Sequence, residues 1–332
     1  MVQNGEFSII ERYFTHDAFG AWKSKGVGDD CAIIDTQAGR LAVTTDMMSI
    51  GTHFLPSARA CDVGYKALAV NLSDLAAAGA VPRAFFLSIG LPERNDAWLA
   101  DFTSGMMQLA QEAGCPLLGG DTTRTAQVGD VRAPITISIT AMGDLPAEMG
   151  LTRAGARPGD DIWVSGTVGG AYAALKHRLG DWTLSGDVFA SAAQRMDHPE
   201  ARIELGRALL PVATACADVS DGLAQDLGHI LERSGVSAEV LWDAVPVHPA
   251  LMTLTPAQRL EAAMSGGDDY ELVFTAPHEA RGLVEQAAIS ALTSVTCIGR
   301  VREKVDTGPQ LLMHDKQGRA VGMPGQGFDH FA

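Results

Sequence analysis

Tyr65-Lys66-Ala67-Leu68-Ala69-Val70-Asn71-Leu72-Ser73-Asp74-Leu75-Ala76-Ala77 reads as the interior of a long helix. Asp62 supplies a cap ahead of it, and Gly79 and Pro82 end it after about Ala78. Asn71 and Asp74 stand three residues apart and so share a face, which also holds the small Ala67 and Ala78. A polar pair on so apolar a helix has two readings. It belongs to a cleft, or it is a buried aspartate satisfied by neighbouring backbone groups.

Short acidic signatures recur on either side of this helix, at the ends of apolar segments. They are Val27-Gly28-Asp29-Asp30-Cys31, Thr44-Thr45-Asp46, Gly119-Gly120-Asp121-Thr122-Thr123, Asp218-Val219-Ser220-Asp221-Gly222 and Gly266-Gly267-Asp268-Asp269. Many of these aspartates are expected to meet in one cleft. Two carboxylates ~4 Å apart repel by about 4 kcal/mol at an effective dielectric of about 20. Such a cluster needs cations, and hard oxygen donors suit Mg²⁺.

The chain of 332 residues is 46% hydrophobic and 20% charged, which is globular composition at a length that suggests two domains. A net charge of −15 argues against nucleic-acid binding, which runs on basic surfaces. Cys31, Cys61, Cys115, Cys216 and Cys297 form no CxxC pair, so zinc and thioredoxin-type readings fail and buried thiols in a reducing cytoplasm are expected. Met1 to Phe7 lacks a basic region followed by an apolar core, so no signal peptide is expected there. No apolar run reaches the ~18 residues of a membrane span; Asn71, Ser73 and Asp74 interrupt the longest, Ala67 to Val81.

In chain order, Phe7 to Phe14 fits a short amphipathic helix. Cys31 to Ile34 and Leu41 to Thr45 read as strands around a turn, with Asp46 just past the second. Ala84 to Ile89 is a strand, and Asn95 or Asp96 opens a helix that closes at Gly114. Pro116 to Leu118 reads as a short buried strand that delivers Gly119-Gly120-Asp121, where two glycines let a ligand approach the backbone closely. Ile135 to Met142 alternates as a strand should. The stretch Pro146 to Asp160, rich in proline and glycine, marks a boundary between residues 1–148 and 149–332.

The second half opens with a strand, Ile162 to Ser165, a turn at Gly166 to Gly170, and a helix from about Ala171. That turn lacks the full G-x-G-x-x-G spacing and reads as a plain tight turn before a nucleotide loop. A helix over His198 to Leu210 with Pro199 in its first turn precedes a strand, Ala213 to Ala217, which points Asp218 off its end. Ser220 and Asp221 stand at the start of a helix over Gly222 to Ser234. They serve there as a routine cap or as part of a phosphate site. Strands at Ala238 to Leu241, Leu272 to Thr275, Val295 to Val301 and Leu311 to Met313 alternate with helices at Pro256 to Ser265 and His278 to Ala288. The fold class is α/β in mixed layers.

No Gly-x-Ser-x-Gly elbow and no HExxH pair is present, so serine and zinc hydrolysis fail. Aspartates on strand ends and glycine turns in both halves suit phosphoryl transfer, which needs positioning and charge neutralisation by metal. The motifs quoted above, with His53-Phe54, Arg124 after the Gly119 run and Tyr270-Glu271-Leu272 after Asp269, resemble the thiamine-monophosphate kinase family. The likeness runs from Gly5-Glu6-Phe7 to Phe328-Asp329-His330-Phe331. The Asn71-to-Asp74 helix and Gly119-Gly120-Asp121 are shared with the wider aminoimidazole ribonucleotide synthetase superfamily.

The resemblance implies two α/β domains of aminoimidazole ribonucleotide synthetase type, the N-terminal ones joining in a dimer barrel. It implies ATP and thiamine monophosphate as substrates in a cleft between the domains, giving thiamine diphosphate and ADP by direct transfer. It assigns several Mg²⁺ ions to Asp30, Thr45, Asp46, Asp74, Asp121, Asp218 and Asp221. It assigns nucleotide contacts to Gly120, Asp121, Arg153 and Ser220, and acceptor contacts to His53 and Asp268. Two departures concern the thiamine end. Position 268 often carries Glu in relatives, and the usual Trp is missing from Pro324-Gly325-Gln326-Gly327-Phe328, which leaves Phe328 or Phe331 as the aromatic surface. Three alternatives stand beside this reading. Selenophosphate synthetase needs a reactive Cys ahead of the first aspartate, and none precedes Cys31. Aminoimidazole ribonucleotide synthetase fits His53-Phe54 and the Gly267-to-Leu272 run poorly, and a silent Mg-nucleotide sensor is told apart by ADP release.

Overall fold

The computed structural model describes residues 32–36, 39–129, 131–305, 308–324 and 327. The helix expected near Phe7, the acidic tip with Asp30, and the aromatics Phe328 and Phe331 lie outside the described residues.

The first domain is a five-stranded sheet under two helices. Its strands are β1 (Ala32–Thr36), β2 (Gly39–Ser49), β3 (Val81–Leu91), β4 (Leu117–Arg124) and, after the small hairpin β5 (Gln127–Val128) and β6 (Val131–Arg132), β7 (Thr136–Leu145). They lie in the order β1-β2-β7-β3-β4. All pairs are antiparallel except β3 and β4. A parallel pair needs a crossover, which α2 (Asp96–Glu112) supplies. Asn95 caps that helix, its side chain accepting from the Trp98 N–H at 3.0 Å. The long helix α1 (Ala60–Ala78) packs beside it, and Gly79 at φ 75° closes α1 in the left-handed conformation that favours glycine. Phe85, Ile137 and Ile139 of the sheet bury against Leu68, Leu72 and Leu75 of α1 and Phe102 and Met106 of α2.

The second domain holds a six-stranded sheet in the order β13-β10-β12-β8-β11-β9. These are β8 (Asp161–Ser165), β9 (Ala215–Asp218), β10 (Ser237–Leu241), β11 (Leu272–Ala276), β12 (Val295–Arg302) and β13 (Leu311–His314). Its helices are α3 (Gly170–Arg178), α4 (Gly186–Asp197), α5 (Ile203–Leu209), α6 (Leu223–Ser234), α7 (Pro256–Met264) and α8 (Arg281–Ser290). Helices cover both faces, so β8 and β11 are buried at every position, and Ile162 to Val164 and Leu272 to Phe274 within them are apolar runs. Ile162 and Val164 face one core, while Trp163 and Phe274 stack in another with α5 and α8.

That last core also contains Ala76 and Ala77 of α1. The helix of the first domain is thus a packing element of the second. Close approach is possible because a glycine, Gly206, stands at this contact, as Gly64 and Gly105 do where α1 meets α2 inside the first domain. A Cβ at Gly206 would sit 1.9 Å from the Ala76 carbonyl oxygen, and Cβ atoms at Gly64 and Gly105 would sit 1.9 and 1.8 Å from the carbonyls of Phe102 and Cys61.

Several boundaries differ from the sequence reading. Asp62 is not the cap of α1; Arg59 occupies that position and makes no side-chain cap bond, so Asp62 falls inside the first turn. Strand β2 continues to Ser49 because β7 keeps pairing with it, Asp46 against Ile139 and Ser49 against Thr136. Asp46 is therefore inside a strand. Strand β4 is longer than expected and exposed at every position, because it is the edge of the sheet. The helix expected over 198–210 is reduced to α5, because α4 ends at Asp197 and residues 198–202 are irregular. Pro199 disfavours helical backbone at His198, which adopts φ −131° and ψ 67°.

Candidate active site

A cleft of about 610 Å³ is lined by both domains. Asp62, Lys66, Val70 and Asp74 of α1 line it together. Their spacing of four residues places them on one helix stripe. Thr44, Thr45 and Asp46 of β2 and the loop with His53 and Phe54 complete the first-domain wall. Opposite stand Arg153, Asp218, Ser220, Asp221, Asp268 and Tyr270.

Adjacent residues of α1 tie three elements together. Asp74 accepts from the Thr44 hydroxyl of β2 in a short contact. Ser73 donates to Asp218 Oδ2 at the end of β9, at 2.6 Å. Asp74 and Asp218 are thus each held in the cleft by a hydroxyl. Asn71 does not join them: it is buried and donates back to the Ala67 carbonyl at 3.0 Å.

The loop after β9 is organised by Asp226 of α6, which accepts from the N–H groups of Asp221 and Gly222 at 3.1 and 3.2 Å. Burial, and then the neighbouring Asp221 charge, push the Asp226 carboxyl well up from its ordinary range. Gly222 is the residue at the α6 cap, and no side chain caps it. Neither Ser220 nor Asp221 occupies the cap position.

The Asp268 run crosses this loop. The N–H of Asp268 donates to the Ser220 carbonyl and that of Tyr270 to the Val219 carbonyl, both at 2.8 Å. Gly267 lies so close that a Cβ would be 2.1 Å from the Ser220 carbonyl oxygen. The crossing puts Asp268 at φ 74° and Tyr270 at φ 51°, a left-handed backbone that costs non-glycine residues roughly 1–3 kcal/mol each. Asp268 faces the cleft and is paired with the Lys66 ammonium. Asp269 points the other way and accepts from the Gly169 N–H at 2.7 Å, which fastens the Gly166-to-Gly170 turn as a structural turn. Glu271 is buried under Arg202, at 2.7 and 2.6 Å, and the Arg195 guanidinium. Desolvation pushes the Tyr270 hydroxyl well up, and the nearby Asp268, Asp46 and Asp218 carboxylates push it further.

His53 accepts at Nδ1 from the Ser49 N–H at 3.0 Å. A neutral ring accepting there carries its proton on Nε2, as a donor. Also lining the cleft, the Tyr172 hydroxyl donates to Glu261 at 2.8 Å, and Arg178 is paired with Asp197.

Thr45, Asp46, His53, Asp74, Arg153, Asp218, Ser220, Asp221 and Asp268 thus share one cleft, as the sequence reading requires. Gly120 and Asp121 do not line it. Asp46 stands opposite Ile139, Ile139 opposite Leu87, and Leu87 opposite Gly120. Three strand spacings, about 14 Å, separate β2 from β4. Asp30 and Phe328 fall outside the described residues. Hard carboxylate and hydroxyl oxygens suit Mg²⁺, but no three carboxylate, histidine or cysteine groups among the described residues converge tightly enough to cage an ion alone. The sequence reading missed Lys66 and Asp62. Their signal is the four-residue spacing down to Asp74.

Two sheet-and-helix domains around an aspartate-lined cleft define a class, and the chain matches it along its length. Residues 28–145 match the N-terminal domain, and residues 157–311 the C-terminal domain, of AIR synthase related proteins. The thiamine-monophosphate kinase of Salmonella typhimurium is 40% identical over 332 residues, covering 99% of this chain and 98% of its own. A crystal structure of thiamine-monophosphate kinase from Stenotrophomonas maltophilia superposes with a TM-score of 0.76 at 40% identity, over 89% of this chain and 91% of that one. AaThiL complexed with AMPPCP and TMP superposes with a TM-score of 0.80 at 30% identity, over 98% and 97%. The chain belongs to the thiamine-monophosphate kinase family.

Proposed function

We propose that this protein transfers the γ-phosphoryl group of ATP to thiamine monophosphate, releasing thiamine diphosphate and ADP. The observation that carries the reading is the likeness, along 98% of the chain, to a protein complexed with AMPPCP and TMP. The cleft supports it, since carboxylates from both domains converge where two anionic substrates must be brought together.

Thr45, Asp46, Asp74, Asp218 and Asp221 in the cleft, with Asp30, would hold Mg²⁺ jointly with substrate phosphates, and Asp121, on the sheet edge outside this cleft, would join them only across a dimer. The absence of a ready cage among the described residues fits ions that arrive with nucleotide. Bound there, Mg²⁺ offsets the repulsion between donor and acceptor phosphates. Gly120, Asp121, Arg153 and Ser220 are assigned to ATP, and His53, Asp268 and Phe328 to the acceptor. The His53 Nε2–H orients the acceptor phosphate rather than removing a proton, because a phosphate with its second pKa near 6 needs no base. No residue acts as covalent nucleophile, and transfer is direct and in line.

Asp121 lies on the exposed edge of the first sheet. A homodimer that closes two such sheets into a barrel covers this edge, and the boundary near residue 148 leaves each barrel half intact. Among the described residues no helix is long and apolar enough to cross a membrane, and we place the enzyme in the cytoplasm. The test is ADP release on adding thiamine monophosphate, followed by chromatography of the product. One thiamine diphosphate per ADP is expected, abolished by excess EDTA. ADP release without acceptor, or full turnover in EDTA, overturns the reading.

A further inference from the structure

Lys66 has no part in the assignments above. Its ammonium is nevertheless inside the cleft, on a side chain 8% exposed, paired with Asp268 from the opposite domain. The stripe it belongs to is otherwise Asp62, Val70 and Asp74. Asp62 is already engaged by His198 Nε2 at 2.8 Å, and that ring stacks on Tyr65 at 4.3 Å. Of the other cleft cations, Arg178 is held by two bonds to Asp197. Lys66 is held by one bond to an aspartate whose own side chain is 31% exposed to the cleft. A ligand that displaces this one partner therefore gains the ammonium.

Thiamine monophosphate, the acceptor in the proposed reaction on which this inference rests, is a zwitterion. It has a phosphate and, a short chain away, a positively charged thiazolium ring. Lys66 and Asp268 offer the same two charges with opposite sign. We propose that Lys66 binds the acceptor phosphate, and that Asp268 is its resting counter-ion, exchanged on binding for the thiazolium. One internal ion pair is thereby replaced by two with the substrate. The exchange favours the phosphate, whose charge of about −1.5 to −2 near neutral pH exceeds that of a carboxylate. Lys66 stands two turns from Asp74, about 12 Å along the helix axis. That leaves room between them for the phosphoryl group in transit and the acceptor phosphate.

An ion exchange and a purely structural salt bridge differ in sign. Under exchange, Lys66→Met removes the phosphate ligand, whereas Asp268→Asn releases Lys66 for any phosphate. With inorganic phosphate as probe, Lys66→Met should weaken binding at least tenfold by calorimetry, and Asp268→Asn should tighten it threefold or more. In kinetics, Lys66→Met should raise KM for thiamine monophosphate at least tenfold while KM for ATP moves less than twofold. Lys66→Arg keeps a cation and should recover most of the loss. It also carries the test if the Met variant does not melt cooperatively. Phosphate affinity shifting the same way in both variants, or an unchanged KM for thiamine monophosphate in Lys66→Met, overturns the proposal. A wild type that binds phosphate through Lys66 but does not phosphorylate thiamine monophosphate would instead overturn the functional reading and leave Lys66 in place.

Discussion

Asp74 and Ser73 act in opposite directions, one toward Thr44 of its own domain and the other toward Asp218 of the second. Asp74→Asn keeps the size and the Thr44 contact while removing a charge that metal would offset. It should lower kcat more than a hundredfold, about 2.7 kcal/mol of barrier, with Tm nearly unchanged; a variant within tenfold of wild type makes Asp74 a structural residue. A different aspartate reports on stability. Burial pushes the Asp161 carboxyl up, but bonds from Arg281 at 2.6 Å and His278 outweigh it and hold it below its ordinary range. Its contribution is therefore complete above the unfolded value near 3.9 and lost as pH falls through the lower folded value. Because Arg281 and His278 are about half exposed, we expect Asp161→Asn to cost roughly 1–2 kcal/mol at pH 7. The Tm gap from wild type should narrow as pH drops toward 3. The site aspartates were legible because glycines and apolar runs punctuate the sequence around them. Lys66 was not, although it stands in the most informative stretch. Reading the helix by its Asn71–Asp74 pair selected a residue that bonds its own backbone, and the stripe four residues apart went unseen.

Helix α1 was recognisable from its apolar run and the closing Gly79, but what it packs against was not, because glycine contacts between helices leave no periodic trace. At Gly206 the opposing atom is a backbone oxygen with nothing flexible to yield. Gly206→Ala should cost about 1–3 kcal/mol and raise KM for both substrates by spreading the domains. Gly228 of α6 has nothing within 4 Å of a new Cβ, so Gly228→Ala should stabilise by roughly 0.5–1 kcal/mol. Thermal melts of the two variants should move in opposite directions. Strand lengths were the weakest part of the reading. The end of β2 is decided by its partner β7, and the exposure of β4 by its place at the sheet edge. Neither is a local property of those residues.

At the scale of the molecule, β4 leaves Leu118 63% exposed, with Leu117 and Phe86 beside it. An apolar open edge invites pairing with another chain. Sedimentation equilibrium at micromolar concentration should give twice the 34.9 kDa of one chain, and Leu118→Lys should give the single mass; a wild-type monomer rules the barrel dimer out. A two-domain fold was legible from the length of the chain, and the Pro146-to-Asp160 stretch ties the two halves together in packing. Leu151 donates to the Ala78 carbonyl at the end of α1, and Thr152 accepts from Cys216 of β9, both at 3.0 Å. Ala76 and Ala77 lie in the same core as Phe274. A chain cut near residue 148 would therefore yield complementing halves rather than two independent modules. Residues 149–332 produced alone should aggregate, with one wall of a core stripped bare. Co-produced with residues 1–148, they should purify as one particle and recover turnover, which makes this helix the natural seam for a split reporter.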